Sequence, residues 1–124
     1  MEGSKVLVAD NSLFLRTMFK SHLESLKLSV VATARDAREC LDKCLALRPD
    51  ISLVDINIAE ENDFSVLREI RERAVSPSVI VMIPDDPGFP EIVVSAIKAG
   101  ASGFLKKPIS PTDLSQRING VLRR

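Results

Sequence analysis

The hydrophobic pattern along the chain alternates between two periods. Short runs of consecutive apolar residues, several of them β-branched, are typical of strands that are buried on both faces of a parallel sheet. Between these runs, apolar residues recur at intervals of three and four, which is typical of one face of an amphipathic helix. The pattern therefore predicts five strands that alternate with five helices. The predicted strands are Lys5–Ala9, Ser29–Ala32, Ile51–Val54, Ser78–Ile83 and Gly103–Lys106.

Residues with known preferences for helix ends support this division. Ser12 and Asp36 are suited to cap the first two helices, because their side-chain oxygens accept hydrogen bonds from free backbone N–H groups. Gly100 is suited to end the fourth helix, and Ser110 or Thr112 to begin the last one. The apolar positions of the five helices include Leu15, Phe19 and Leu23; Ala37, Leu41 and Leu45; Phe64, Leu67 and Ile70; Ile92, Val93 and Ala96; and Leu114, Ile118 and Val121.

This alternation predicts an α/β fold of the (βα)5 type. Such a chain forms a doubly wound parallel five-stranded sheet, with right-handed crossovers that place helices on both faces. The segment Pro84–Pro90 carries three of the seven prolines and is predicted to be a loop. With 124 residues and neither an internal repeat nor a linker, the chain is expected to form a single domain over residues 1–124.

Composition and charge exclude several classes of function. Lys plus Arg equals Asp plus Glu at 17 each, so no bulk attraction to nucleic acid is expected. No apolar run approaches the length of a membrane span, and the first residues lack the apolar stretch of a signal peptide. We therefore expect a cytoplasmic protein with no direct contact to nucleic acid or membrane.

Two cysteines lie one helical turn apart, at Cys40 and Cys44. A metal or redox pair is one interpretation, and two small half-buried apolar residues is the other. Two ligands alone do not make a zinc site, so the second interpretation is favoured. His22 lies on the apolar side of the first predicted helix and is interpreted as a half-buried helix residue in the same way.

Polar residues follow the predicted strands where those strands end. Asp10 and Asn11 follow the first strand, Asp55 follows the third, and Lys107 follows the fifth. In an open α/β sheet, ligands bind in the crevice outside the carboxyl ends of the strands. Each acid alone can serve as a turn or capping residue. Two acids and a lysine together predict one site for a cation and a phosphoryl group.

Four segments in order resemble the receiver domain of two-component response regulators, the CheY-like family. They are the first strand with its acidic pair, the third strand with its acid, the turn into the fifth strand, and the lysine–proline ending of that strand. The resemblance covers essentially the whole chain and implies the flavodoxin/CheY-like strand order 2-1-3-4-5. The matching segments are Lys5–Ser12, Pro49–Asn57, Ala99–Phe104 and Leu105–Pro108.

The resemblance also implies a phosphoryl-transfer chemistry. Asp55 would accept a phosphoryl group from a sensor histidine kinase or phosphotransfer protein. Mg²⁺ would be the cofactor, held by Asp10, Asn11, Asp55 and the backbone carbonyl of Asn57, since hard oxygen ligands suit that ion. Lys107 would contact the phosphoryl oxygens as a point charge.

The remaining implications concern the switch. Phe104 lies where the family has an aromatic residue that moves inward on activation, and the peptide bond before Pro108 is expected to be cis. A downstream protein or fused output domain would bind the face built from the fourth predicted helix, the fifth strand and the last helix. The chain would thus be a switching and binding module in a phosphorelay, not an enzyme.

Three departures from the family pattern indicate a degenerate active site. Receivers usually carry Ser or Thr at the end of the fourth strand, but here that position is Ile83, which can donate no hydrogen bond. Asn11 replaces an acid, so weaker binding of Mg²⁺ is expected. The loop after Asp55 lacks the usual proline and glycine, although Asn62 and Asp63 tolerate a left-handed turn.

These departures leave two alternatives open beside a phosphoacceptor receiver. One is a pseudo-receiver that acts as a phosphorylation-independent interaction module. The other is a flavodoxin-like enzyme or nucleotide binder on the same topology. The second alternative is disfavoured, because the first loop, Asp10–Ser12, is acidic and has no glycine to cradle a phosphate.

Overall fold

Five parallel strands form one sheet in the order β2-β1-β3-β4-β5, which confirms the predicted strand order. The structure, a computed structural model, describes residues 2–73, 75–86 and 90–122. Every pair of neighbouring strands is parallel. The strands are β1 (Lys5–Ala9), β2 (Ser29–Ala34), β3 (Ile51–Asp55), β4 (Ser78–Pro84) and β5 (Gly103–Lys107).

The described residues form six helices, one more than predicted. The additional helix is a single turn directly after β3, in a segment predicted to be a loop. Asp55 begins this turn, because its side chain accepts a hydrogen bond from the N–H of Asn57. The helices are α1 (Leu13–Ser25), α2 (Ala37–Leu47), α3 (Ile56–Ala59), α4 (Glu61–Arg73), α5 (Pro90–Ala99) and α6 (Pro111–Leu122).

The first turn of α4 contains three successive residues in the left-handed region. Asn62, Asp63 and Phe64 have φ angles of 50°, 55° and 62°. The prediction that Asn62 and Asp63 accommodate such a turn is confirmed. The inclusion of Phe64 was not predicted, since large residues rarely adopt this conformation. Its side chain is buried in the core, and the burial favours a backbone that the residue would otherwise avoid.

The predicted loop Pro84–Pro90 is wrong at both ends. Pro84 is the last residue of β4 and pairs with Lys107, while Pro90 is the first residue of α5. Pro90 suits its position, because the first helical residue can do without a backbone N–H. Pro84 lies beyond the last residue of β4 that pairs with β3. Residues 87–89 of the predicted loop lie outside the described residues.

Alternate residues of each strand face two separate apolar layers, as expected of a doubly wound sheet. Leu7 and Ala9 face the layer beneath α2, α4 and α5. Val6 and Val8 face the layer beneath α1 and α6. His22 is half-buried, as predicted. The strands are therefore covered on both faces. In open α/β sheets of this kind, ligands bind in the crevice outside the carboxyl ends of the strands.

The predicted helix caps are confirmed. The side chain of Ser12 accepts a hydrogen bond from the N–H of Leu15, and Asp36 accepts one from Glu39. Of the two candidates predicted for the start of α6, Ser110 is the capping residue. Its Oγ accepts a hydrogen bond of 3.0 Å from the N–H of Asp113.

A Gly120→Ala variant is expected to raise the free energy of unfolding by about 0.5–1 kcal/mol, because glycine in a helix loses more backbone entropy on folding than alanine does. A Cβ added at Gly120 meets no heavy atom within 4 Å. Gly100→Ala is the matched control, and it is expected to lower the free energy of unfolding. Gly100 has a φ of +126°, and an added Cβ would lie 3.2 Å from Cδ of Arg71. Urea denaturation measures both, and a destabilised Gly120→Ala protein would contradict the expectation.

Candidate functional site

Three side chains from distant parts of the sequence meet at the carboxyl edge of the sheet. Asp10 follows β1, Asp55 ends the neighbouring strand β3, and Lys107 ends β5 on the far side of β4. The Nζ of Lys107 lies 2.7 Å from Oδ2 of Asp10 and 2.7 Å from Oδ1 of Asp55. The convergence predicted from the strand ends is therefore present.

The second oxygen of each carboxylate is held by the backbone two residues further along the chain. Asp10 Oδ1 accepts a hydrogen bond of 2.9 Å from the N–H of Ser12, and Asp55 Oδ2 accepts one of 3.0 Å from the N–H of Asn57. These short turns form because Asp side chains readily bond to N–H groups two residues on. Both carboxylates are thus fixed at both oxygens.

Sequence reasoning missed one further contact at this edge. Nη1 of Arg16, on α1, donates a hydrogen bond of 2.7 Å to the backbone carbonyl of Asp10. The guanidinium ties the β1–α1 turn to the first helix. Nothing in the spacing of Arg16, six residues after Asp10, distinguishes it from a solvent-exposed helix residue.

The charged groups of the site are largely removed from water. Asp10 is 1% exposed and Asp55 is 4% exposed, while the side chain of Lys107 is 20% exposed. Burial by itself lowers the pKa of Lys107. The hydrogen bonds and charges of Asp10 and Asp55 outweigh it and leave the pKa above its usual value. Lys107 is therefore an ammonium at neutral pH.

The other predicted site residues lie at the rim of this cluster. Asn11 and Asn57 are exposed and lie one and two residues after the two carboxylates. The Lys107–Pro108 peptide bond is cis, as the resemblance implied. The described contacts join Asp10, Asp55 and Lys107 directly, and they leave the two asparagine side chains at the solvent boundary.

The predicted switch positions lie on the neighbouring strands. Ile83 is 2% exposed and packs in the apolar layer beneath α2, α4 and α5. Phe104 is half-buried against the same layer, and the guanidinium of Arg117 lies 5.8 Å from the centre of its ring. Ile83, Phe104 and Val93 line a common cavity of about 500 Å³. The end of β4 therefore presents a buried apolar side chain.

The donor set fits a hard divalent cation such as Mg²⁺. Within the described ranges, no three His, Cys, Asp or Glu side chains cluster to hold a metal ion by themselves. Mg²⁺ does not need such a cage, because it commonly binds through one or two carboxylates and keeps several water molecules. Two buried carboxylates against one ammonium leave an excess negative charge, which such a cation would neutralise.

This parallel sheet, with its helices on both faces, has the flavodoxin/CheY-like α/β fold. Comparison with known proteins gives the family. The family model described as response regulator receiver domain matches residues 6–119. The chain belongs to the response regulator receiver domain family of two-component systems.

Individual relatives are consistent with this assignment. The chemotaxis protein CheY of Thermotoga maritima is 32% identical over 119 residues, covering 96% of this chain and 98% of the relative. A protein-glutamate methylesterase/protein-glutamine glutaminase of Symbiobacterium thermophilum is 36% identical over 115 residues. That match covers 92% of this chain but only 32% of the relative, so the chain spans about one third of that protein.

A solved structure shows the same architecture. The signal receiver domain of the putative response regulator NarL from Mycobacterium tuberculosis superposes with a TM-score of 0.87 at 26% identity. The superposition covers 99% of this chain and 98% of that one. Of the helices in the described residues, none is long and apolar enough to cross a membrane.

Proposed function

We propose that this chain is a phosphoacceptor receiver in which Asp55 takes a phosphoryl group from a histidine kinase or phosphotransfer protein. The observation that supports it best is the contact of Lys107 with both Asp10 and Asp55. A fold with this topology needs no buried ammonium between two carboxylates for its stability. Replacing a whole buried ion pair by apolar residues is often neutral or stabilising, although removing one partner alone is costly. A function is therefore the better explanation for the arrangement.

The transfer itself requires little chemistry beyond positioning. A carboxylate oxygen of Asp55 attacks phosphorus, and the bond between phosphorus and the donor's imidazole nitrogen breaks, which leaves an acyl phosphate on the chain. Lys107 then exchanges its hydrogen bond to Asp55 for one to a phosphoryl oxygen. Its contact with Asp10 keeps the ammonium in place during this exchange.

Mg²⁺ would be held by Asp10, Asn11, Asp55 and the carbonyl of Asn57. When bound, it neutralises charge, since a carboxylate attacking a phosphoryl group brings two anions together. Asn11 contributes an oxygen without a charge. We therefore expect this site to bind Mg²⁺ more weakly than a receiver with a second acid at that position.

The response to phosphorylation is the step in which this chain departs from its family. We assign the switch to Ile83 and Phe104, and the binding surface for a downstream protein or fused output domain to the face of α5, β5 and α6. Because Ile83 offers no donor to a phosphoryl group, coupling between Asp55 and that face is weakened or rerouted.

We further propose one cytoplasmic domain over residues 1–124, without enzymatic turnover and without direct contact to nucleic acid.

The test of the proposed function is the incorporation of phosphate from a small donor. Incubation with acetyl phosphate and Mg²⁺ is expected to add the mass of one phosphoryl group, measured on the intact protein. Asp55→Asn is the matched control, because it keeps the shape of the side chain and removes the nucleophile. It should abolish the adduct while circular dichroism stays unchanged. An adduct of equal yield on Asp55→Asn would place the modification elsewhere.

A second candidate function is a phosphorylation-independent interaction module of the same fold. The buried Ile83 favours it, because the side chain removes a donor on which the usual switch depends. Titration with Mg²⁺ separates the two functions. A phosphoacceptor binds the ion at millimolar concentration and loses that binding in Asp10→Asn, whereas the interaction module shows no such dependence.

A further inference from the structure

The backbone carbonyl of Asp10 lies just beyond the paired part of β1. That strand pairs with its two neighbours only as far as Ala9, and the N–H of Asp10 still donates a hydrogen bond of 2.9 Å to the carbonyl of Ala34. Asp10 as a whole is 1% exposed, so its carbonyl needs a donor from within the protein. Nη1 of Arg16 is that donor, at a distance of 2.7 Å.

Arg16 holds the turn between β1 and α1 at two points. Its backbone N–H donates to the carbonyl of Ser12 at 3.0 Å, and its guanidinium donates to the carbonyl of Asp10. The N–H of Ser12 in turn donates to Oδ1 of Asp10 at 2.9 Å. Hydrogen bonds thus join these residues in a closed ring, and Asn11 lies on the stretch of backbone that the ring encloses.

We propose that Arg16 is a positioning residue for the divalent cation. By fixing the turn, its guanidinium holds the carboxylate of Asp10 and the amide of Asn11 in the arrangement that binds Mg²⁺. The inference rests on the proposed function, because it concerns the ion that assists phosphoryl transfer to Asp55. Arg16 acts through these two ligands and contacts neither the ion nor the phosphoryl group.

The neutral ligand makes this positioning important in this chain. Asn11 offers an oxygen without a charge, so the attraction that would draw an ion to a second acid is missing. The side chain of Asn11 is also exposed, and it loses rotamer freedom when it binds an ion. A backbone that is already fixed reduces the remaining cost of ordering the ligands, and a smaller cost means tighter binding.

The charge of Arg16 acts against the binding of Mg²⁺. A guanidinium near a cation site repels the ion, and no carboxylate among the described residues forms an ion pair with Arg16 to offset that charge. The hydrogen bond accounts for an arginine at this position, since a charged donor forms a stronger bond to a carbonyl than a neutral one does. Removal of Arg16 separates the two effects by sign, because lost positioning weakens the binding of Mg²⁺ whereas lost repulsion strengthens it.

The test is a titration of the isotope-labelled protein with Mg²⁺, followed by the amide NMR signals of the turn and carried out without any phosphoryl donor. Arg16→Met is expected to weaken the binding of Mg²⁺ by about 10-fold, the lower end of the usual effect of losing a residue that supports a metal ligand. Arg16→Lys keeps a charged donor and should recover part of the affinity.

Lys20→Met is the matched control for the lost charge. Lys20 is exposed and lies one turn further along α1, so its removal should change the affinity for Mg²⁺ by less than about twofold. Unchanged or tighter binding of Mg²⁺ in Arg16→Met would overturn the proposal.

A measurement on the wild-type protein decides the question if an Arg16 variant does not fold. The ring of hydrogen bonds is formed before any ion binds, so the N–H groups of Ser12 and Arg16 should exchange slowly with solvent in the absence of Mg²⁺. Fast exchange that slows only when Mg²⁺ is added would mean that the ion orders the turn, and the proposal would be wrong.

The dependence of phosphorylation on Mg²⁺ separates positioning from a general loss of structure. With acetyl phosphate as donor, Arg16→Met should need about 10-fold more Mg²⁺ for half of its maximal rate, while the maximal rate stays within about twofold of the wild-type value. A maximal rate that falls as well would contradict the positioning role. A wild-type protein that binds Mg²⁺ but forms no adduct on Asp55 would refute the proposed function alone, since the NMR titration needs no phosphoryl group. A wild-type protein without affinity for Mg²⁺ would overturn both.

Discussion

A Lys107→Met variant is expected to lower the free energy of unfolding of the metal-free protein by about 3–5 kcal/mol, the usual cost of removing one partner from a buried ion pair. Lys107 is the only group in direct contact with both buried carboxylates among the described residues, with both distances at 2.7 Å. Methionine fills a similar volume without the charge. Asp10 and Asp55 would then lie close together and uncompensated in a largely dry environment.

Urea denaturation with and without Mg²⁺ measures this effect and separates its cause from lost packing. If the missing positive charge is responsible, millimolar Mg²⁺ should stabilise Lys107→Met more than it stabilises the wild-type protein. Lys106→Met is the matched control. Lys106 is the exposed neighbour on the same strand, and its loss should change stability by no more than about 0.5 kcal/mol. Equal losses in the two variants would contradict the importance of the buried pairing.

The difference in free energy of unfolding between the wild-type protein and Lys107→Met is expected to change with pH in one direction only. The folded-state pKa of Lys107 is raised, so its stabilising contribution is complete below the unfolded-state pKa of about 10.4 and is lost as the pH rises through the higher folded-state value. The difference between wild type and Lys107→Met should stay constant near neutral pH and shrink only above about pH 10.4. A difference that shrinks below that pH would indicate titration of other groups.

The fold could be predicted because its signals are local and repeated. Each strand is a short apolar run, and each helix carries its own periodicity and cap, so Ser12 and Asp36 identify helix starts without tertiary information. The site could be predicted because parallel strands deliver their ends to one edge of a sheet. Asp10, Asp55 and Lys107 therefore follow from strand assignment alone.

The features that escaped prediction depend on contacts between distant segments. The left-handed backbone at Phe64 is favoured by burial of its ring, which no local preference reveals. The complete burial of Cys40 and Cys44 follows from how α2 lies on the sheet. Pro84 and Pro90 were assigned to a loop because proline usually interrupts strands and helices. Pro90 in fact occupies the first position of α5, where proline is tolerated, and Pro84 lies beyond the last residue of β4 that pairs with β3.

Ile83→Thr is expected to strengthen the coupling between Asp55 and the face of α5, β5 and α6 by about 10–150-fold. That factor corresponds to one hydrogen bond to a charged group, about 1.5–3 kcal/mol. Threonine would place a hydroxyl at the end of β4, where a phosphoryl group on Asp55 needs a donor. The chain contains no Trp or Tyr to report this by fluorescence. Hydrogen exchange with and without beryllofluoride, a phosphoryl mimic, is the suitable measurement.

Ile83→Val is the control that makes this prediction sharp, because valine and threonine have nearly the same shape and differ in the hydroxyl. Both variants lose apolar volume from a buried position, at a cost of about 0.5–1.5 kcal/mol for the valine. Only Ile83→Thr should spread the beryllofluoride response to β5 around Phe104. An identical response in the two variants would mean that the cavity shared by Ile83 and Phe104 transmits the signal by packing. In that case the missing hydroxyl would not be what limits the switch.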